Sequence, residues 1–164
     1  GYALATVHRA ENTDVPERLE VIFESLSRLH HDCPVVLPLH PRTRAALVRS
    51  GALERAGGQV HLVEPVGYLD MVKLERHASL VVTDSGGVQK EAYFAGVPCV
   101  TLRDETEWTE LVDLGWNRLA PPPDVGSVSA RIREGLAAEP GADAAPYGSG
   151  DSAERIVRVL VGRS

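Results

Sequence analysis

The chain has 164 residues, 43% of them hydrophobic and 24% charged, a globular composition at a length that suits one domain spanning residues 1–164 with its own core. It has no run of about 18 apolar residues, and its N-terminus has neither a basic region nor the apolar stretch of a signal peptide, so no membrane span is expected and the cytoplasm is the expected location. A net charge of −6 argues against a nucleic-acid-binding surface, while leaving open a local phosphate seat at a helix N-terminus.

The chain opens Gly1-Tyr2-Ala3, without a methionine, and runs directly into apolar residues, so it is expected to be a piece of a longer protein. The first strand is "YALATV". After it, "NTDVPERLEVIFESLSRLH" sets Leu19, Ile22, Phe23, Leu26 and Leu29 on one helical face, with Asp14 and Glu17 at capping-box spacing. Four more strands follow as "PVVLPL", "QVHLVEP", "SLVVTD" and "PCVTLR", and a weaker one as "NRLAP". Between and after them, "PRTRAALVRSGALERAG", "YLDMVKLERHA", "GVQKEAYFAG", "TEWTELVDLG" and "VGSVSARIREGLAAE" carry apolar residues at helical spacing, most of them closed by glycine. "APPPDV" and "EPGADAAPYGSGDS" read as loops, and "SAERIVRVLVGR" as a last helix that packs here or on a partner domain. Strand and helix thus alternate about six times, which predicts an α/β fold: a Rossmann-like parallel sheet of about six strands with helices on both faces. Cys33 and Cys99 are far apart among apolar neighbours and read as core thiols.

In such a sheet ligands gather at the carboxyl ends of the strands. "VVTDSGGVQKEA" is the strongest candidate: a strand ends at Asp84, and Ser85, Gly86 and Gly87 lead into a helix whose free N–H groups and dipole suit an anion. Glycine lets a phosphate approach without a Cβ in the way, and Glu91, one turn further in, could accept hydrogen bonds from ribose hydroxyls. The same residues would also serve as a tight turn capped by Asp84 or Ser85, and they lack the Lys and Ser/Thr of a Walker motif. In "TVHRAENTD", His8 and Arg9 could face a diphosphate, with Glu11 and Asn12 bracing the loop, or His8 could be a satisfied structural group. In "LHPRTR", His40 and Arg42 stand at a proline-started helix. "EPVGYLDM" could offer backbone groups to a base with Met71 against its face, or be a capped helix start. "LRDETEWTE" gathers Arg103, Asp104, Glu105, Glu107 and Glu110, which a solvated acidic helix start explains equally.

Taken in order, "TVHRAENTD", "PLHPRT", "EPVGYLD", "TDSGGVQKEA", "GVPCVTLRDETE" and "APYGSGDSAERI" resemble the C-terminal half of the non-hydrolysing UDP-N-acetylglucosamine 2-epimerases of the GT-B-like superfamily. The resemblance implies two Rossmann-like domains with a sugar nucleotide in the cleft between them, and a role in cell-envelope polysaccharide biosynthesis. It implies an enzyme that removes the C2 proton of UDP-N-acetylglucosamine, expels UDP to leave a glycal, and re-adds UDP with C2 inverted to UDP-N-acetylmannosamine. By the same resemblance Ser85, Gly86 and Gly87 would grip the diphosphate, Glu91 the ribose, and His8, as the catalytic residue of this half, the departing phosphates. Val66, through its backbone, and Met71 would lie near the uracil, and Arg9 and His40 at a second, activating substrate site. No metal or cofactor is implied; the partners are the UDP-sugar and the N-terminal domain of the parent, with a homodimeric parent allowed. Where many members read T-E-R-P-E this chain has Thr106-Glu107-Trp108-Thr109-Glu110, which leaves the sugar open toward a diacetamido or uronic relative. The family's proton-transferring carboxylates belong to the N-terminal domain, so this chain alone is expected to bind UDP weakly and not to epimerise. The alternatives are a GT-B glycosyltransferase domain, a hydrolysing epimerase and a non-catalytic sugar-nucleotide-binding module.

Overall fold

The computed structural model describes residues 1–58, 60–142 and 144–162. Its strands are β1 (Ala3–Thr6), β2 (Val35–Pro38), β3 (His61–Val63), β4 (Leu80–Thr83), β5 (Cys99–Thr101) and β6 (Asn117–Leu119). They form one sheet in the order β3-β2-β1-β4-β5-β6, with every neighbouring pair parallel. The expected Rossmann-like sheet is therefore present, and its order reverses between β1 and β4, the switch point at which sheets of this kind carry their ligand crevice beyond the carboxyl ends of the strands. The central strands β1 and β4 are buried at every position, which is why they read as continuous apolar runs rather than alternating ones.

The helices are α1 (Ala10–Thr13), α2 (Pro16–Asp32), α3 (Pro41–Arg49), α4 (Leu53–Gly57), α5 (Tyr68–His77), α6 (Gly86–Ala95), α7 (Thr109–Asp113), α8 (Val125–Leu136) and α9 (Ser152–Leu160). On one face of the sheet, Ile22 and Leu26 of α2, Leu47 of α3 and Ile132 of α8 pack against Ala3, Ala5, Leu80 and Val82. On the other, α5 and α6 bring Met71, Leu74, Val88 and Ala92 against Leu4, Val81 and Cys99. Cys33 and Cys99 are both buried free thiols.

Three details depart from the sequence reading. The capping box at Asp14 and Glu17 does not form: α2 starts with Val15 at its N-cap and Pro16 in the first turn, and no side chain caps it. Proline holds φ where the first turn needs it, and the Asp14 carboxylate instead accepts from Arg42 at 2.6 Å. The segment read as one helix after β2 breaks into α3 and α4 at Gly51, whose φ of +66° is a left-handed conformation that ends a helix. The short α1 falls within the loop read as following β1. The last helix, α9, has no buried residue; Ile156, Val157, Val159 and Leu160 are all exposed.

Candidate functional site

The site is built around a carboxylate. β4 ends in Thr83, and the next residue, Asp84, is fully enclosed. Its oxygens accept from the His8 N–H at 3.0 and 3.1 Å, the Arg9 N–H at 3.0 Å and Asn12 Nδ2 at 3.1 Å. The enclosed Asp84 carboxyl group thus holds the loop after β1 beside the loop after β4 through several hydrogen bonds at once. The hydroxyls of Thr6 and Thr83 meet across the two strands at 2.6 Å, which closes the floor of the crevice. Thr43 of α3 donates to the Val7 carbonyl and ties down the same loop from its other side.

Immediately after Asp84 the chain enters α6. Ser85 is its N-cap: the side chain accepts from the Val88 N–H at 3.4 Å, while its own N–H donates to the Thr83 hydroxyl at 2.9 Å. Gly86 and Gly87 are the first helical residues, so their N–H groups have no intrahelical acceptor and point out of the helix start. A Cβ on Gly86 would stand 3.6 Å from Glu107 Oε2, 3.7 Å from Trp108 Nε1 and 3.8 Å from Arg9 Nη2. Those distances are ordinary van der Waals contacts, so the space above Gly86 is open to one small group walled by a carboxylate, an indole and a guanidinium.

The walls are themselves paired. Trp108 donates from Nε1 to the Gly86 carbonyl at 2.8 Å, and the Lys90 ammonium lies 3.8 Å from its ring centroid and 4.2 Å from that of Tyr147. Arg103, 6% exposed, holds Glu107 with two hydrogen bonds of 2.8 and 3.1 Å and lies 3.3 Å from Glu11. Those bonds pull the Glu107 carboxyl down to about 2, and Arg9 completes the cluster at 3.5 Å from Glu107. The residues after β5 are therefore more than a solvated acidic helix start: Arg103 and Glu107 join Arg9 to the α6 turn. Gln89, fully buried, accepts from Thr106 at 2.6 Å and from Asn117 at 3.0 Å, and this fixes the same segment against α6.

Of the residues singled out from the sequence, Ser85, Gly86, Gly87, His8 and Arg9 are brought together at the crevice. His40 joins them, its ring centroid 5.3 Å from that of His8, while its Nδ1 caps α3 by accepting from the Arg42 N–H at 3.1 Å. Glu91 lies a turn into α6 and half-buried, with its carboxyl group against Glu75 of α5. Val66 stays exposed on the β3–α5 connection, and Met71 packs on the α5–α6 face in the cluster that includes Val88; no hydrogen bond among the described residues links either of them to the α6 turn. Asp84 as an organising hub and Glu75 beside Glu91 escape the sequence reading. For Glu75 a signal exists, because it falls on the face of α5 set by Met71, Leu74 and Ala78 and so carries a carboxyl group inward.

A doubly wound parallel sheet with a glycine-started helix at its switch point defines an α/β protein of the Rossmann type. The sequence profile of the UDP-N-acetylglucosamine 2-epimerase family matches residues 1–161, and the chain belongs to that family. It is 49% identical over 164 residues to UDP-2,3-diacetamido-2,3-dideoxy-D-glucuronate 2-epimerase of Pseudomonas aeruginosa, covering 98% of this chain and 44% of that protein. It is 40% identical to the UDP-N-acetylglucosamine 2-epimerase of Methanocaldococcus jannaschii, covering 97% of this chain and 44% of the relative. The crystal structure of the Methanocaldococcus jannaschii UDP-GlcNAc 2-epimerase in complex with UDP-GlcNAc and UDP superposes with a TM-score of 0.87 at 39% identity, over 98% of this chain and 45% of that one. The chain thus spans a little under half the length of the relatives it matches.

Proposed function

We propose that residues 1–164 form the UDP-sugar-binding half of a 2-epimerase that interconverts a UDP-2-acetamido sugar and its C2 epimer by eliminating and re-adding UDP. The observation that carries this reading is the α6 start at the switch point, where the N–H groups of Gly86 and Gly87 have no intrahelical acceptor and Arg9, Glu107 and Trp108 stand beside Gly86. When UDP leaves, its β-phosphate gains negative charge; fixed backbone N–H groups and a helix dipole stabilise that charge without having to reorient. His8 stands at the same end of the crevice to face the phosphates, and Glu91 lies one turn along α6 to meet the ribose. Held in this way, UDP stays available for re-addition. The proton transfers at C2 fall to carboxylates outside this chain, so the chain binds but does not turn over. The buried free thiols of Cys33 and Cys99 fit a reducing, cytoplasmic setting.

The sugar itself has a second reading. Trp108 stands where many members carry an arginine, and the relative at 49% identity acts on a diacetamido glucuronate. Both observations favour a substrate whose sugar is a 2,3-diacetamido uronate over N-acetylglucosamine.

Calorimetric titration with UDP, UDP-N-acetylglucosamine, UDP-2,3-diacetamido-glucuronate and UMP tests the proposal. Saturable UDP binding that weakens in Ser85→Ala and Glu91→Ala, and is poorer for UMP, is the expected result. Equal UDP affinity in wild type and both variants would overturn the site.

A further inference from the structure

Glu75 lies on the inward face of α5 and is 2% exposed. Its Oε1 is enclosed and has no hydrogen-bond partner among the described residues, an arrangement that costs free energy if the group carries charge. Among the described residues, the groups around it offer no compensating cation. From the neighbouring α6 the Glu91 carboxyl acts on it through both its charge and a hydrogen bond, and Cys99 of β5 lies in the core cluster that α5 packs against. Burial pushes the Cys99 thiol up to about 12, and Tyr2, whose hydroxyl donates to the Leu74 carbonyl at 2.6 Å, is also shifted upward, so both are neutral near pH 7. Lys73, Arg76 and His77 of α5 are exposed, and the Lys90 ammonium is taken up by the Trp108 and Tyr147 rings. Two carboxyl groups in contact with one side enclosed cannot both ionise without penalty, and one proton shared between them removes it.

We propose that Glu75 is a positioning residue for nucleotide binding: its carboxylic acid donates a hydrogen bond to one oxygen of Glu91 and so holds the other oxygen toward the ribose hydroxyls. The inference rests on the assignment of Glu91 to the ribose. Loss of the proton from Glu75 leaves Glu91 without its donor and sets two negative charges side by side, so Glu91 turns away and the ribose contact is lost. Burial first, and then the Glu91 charge, raise the Glu75 carboxyl to about 7, which places this event within the ordinary working range.

The test is UDP affinity from about pH 6 to about pH 8.5 in the wild type and in Glu75→Gln, whose amide keeps a donor and cannot ionise. The expected result is a roughly tenfold weakening in the wild type relative to Glu75→Gln across that range, the size of one charge-assisted hydrogen bond. Taking the ratio cancels the titration of the ligand's own phosphate. With 2′,3′-dideoxy-UDP the same ratio is expected to stay flat, because the hydroxyls that Glu91 meets are gone; a merely structural Glu75 would affect both ligands alike. Parallel pH profiles for wild type and Glu75→Gln with UDP overturn this proposal alone. Absence of UDP binding to the wild type at every pH overturns the site assignment and this proposal with it.

Discussion

At Gly86 space and conformation separate cleanly. The residue is ordinary helical backbone, and an added methyl would make only normal contacts within the chain, so Gly86→Ala is expected to leave the urea midpoint unchanged while weakening UDP by tenfold or more. Equal affinity in the variant would mean that no ligand approaches that backbone. Asp84 behaves oppositely. Its carboxylate takes hydrogen bonds from His8, Arg9 and Asn12 while fully enclosed, and Asp84→Ala strands those donors, so a loss of about 3 kcal/mol of stability is expected by chemical denaturation, with UDP binding lost as well. Glu75 gives a stability signature that needs no ligand. Its folded-state value of about 7 lies above the ordinary 4.5, so the folded chain binds more protons than the unfolded one between those limits. Stability therefore falls as pH rises from about 4.5 to about 7 and levels off above, a contribution of roughly 3 kcal/mol. Urea denaturation at several pH values checks this: the slope is expected in the wild type and is flattened in Glu75→Gln.

At the scale of elements, two N-caps share one geometry and differ in consequence. Asp124 caps α8 by accepting from the Ser127 N–H at 2.9 Å and from its hydroxyl at 2.7 Å, on the side of the sheet where α8 packs with α2. Asp124→Ala should cost about 1 kcal/mol and leave UDP affinity intact, whereas Ser85→Ala should weaken both, and calorimetry beside denaturation separates the two effects. The elements themselves were legible because their signals are local: short apolar runs marked five strands, the weaker "NRLAP" marked the sixth, and a Ser-Gly-Gly after a strand marked the α6 start. The capping box failed because Pro16 and the Arg42 pairing of Asp14 compete with it, and one of those partners lies 28 residues away. The break between α3 and α4 turned on the left-handed φ of one glycine in a segment whose apolar spacing continues on both sides. Asp84 was opaque for a stronger reason: its partners lie 72 to 76 residues back, and no pattern within a window of one helix carries that information. For Glu75 the face of α5 marks an inward carboxyl group, while its partner on α6 lies outside that window.

At the scale of the whole molecule, the sheet and its two helical layers form one doubly wound unit, while α9 stands apart. With Ile156, Val157, Val159 and Leu160 exposed and no residue of the helix buried, α9 contributes little to the stability of this chain. Ending the chain before Ser152 should leave the denaturation midpoint within the error of measurement; a loss above about 1 kcal/mol would show that the helix packs here after all.

The seam between β1 and β4 also dictates the order in which this protein can assemble. Ala3 to Thr6 pair with Leu80 to Thr83, and the Asp84 hydrogen bonds that shape the crevice span the same long stretch of chain. A growing or refolding chain can join β1 to β2 and β3 early, yet until β4 arrives β1 is a bare, apolar sheet edge open to pairing with another molecule. The loop entropy of that closure must be met before the Asp84 hydrogen bonds can form, so the end of the sheet that carries the α6 turn takes shape late in folding, in one step with the burial of that edge.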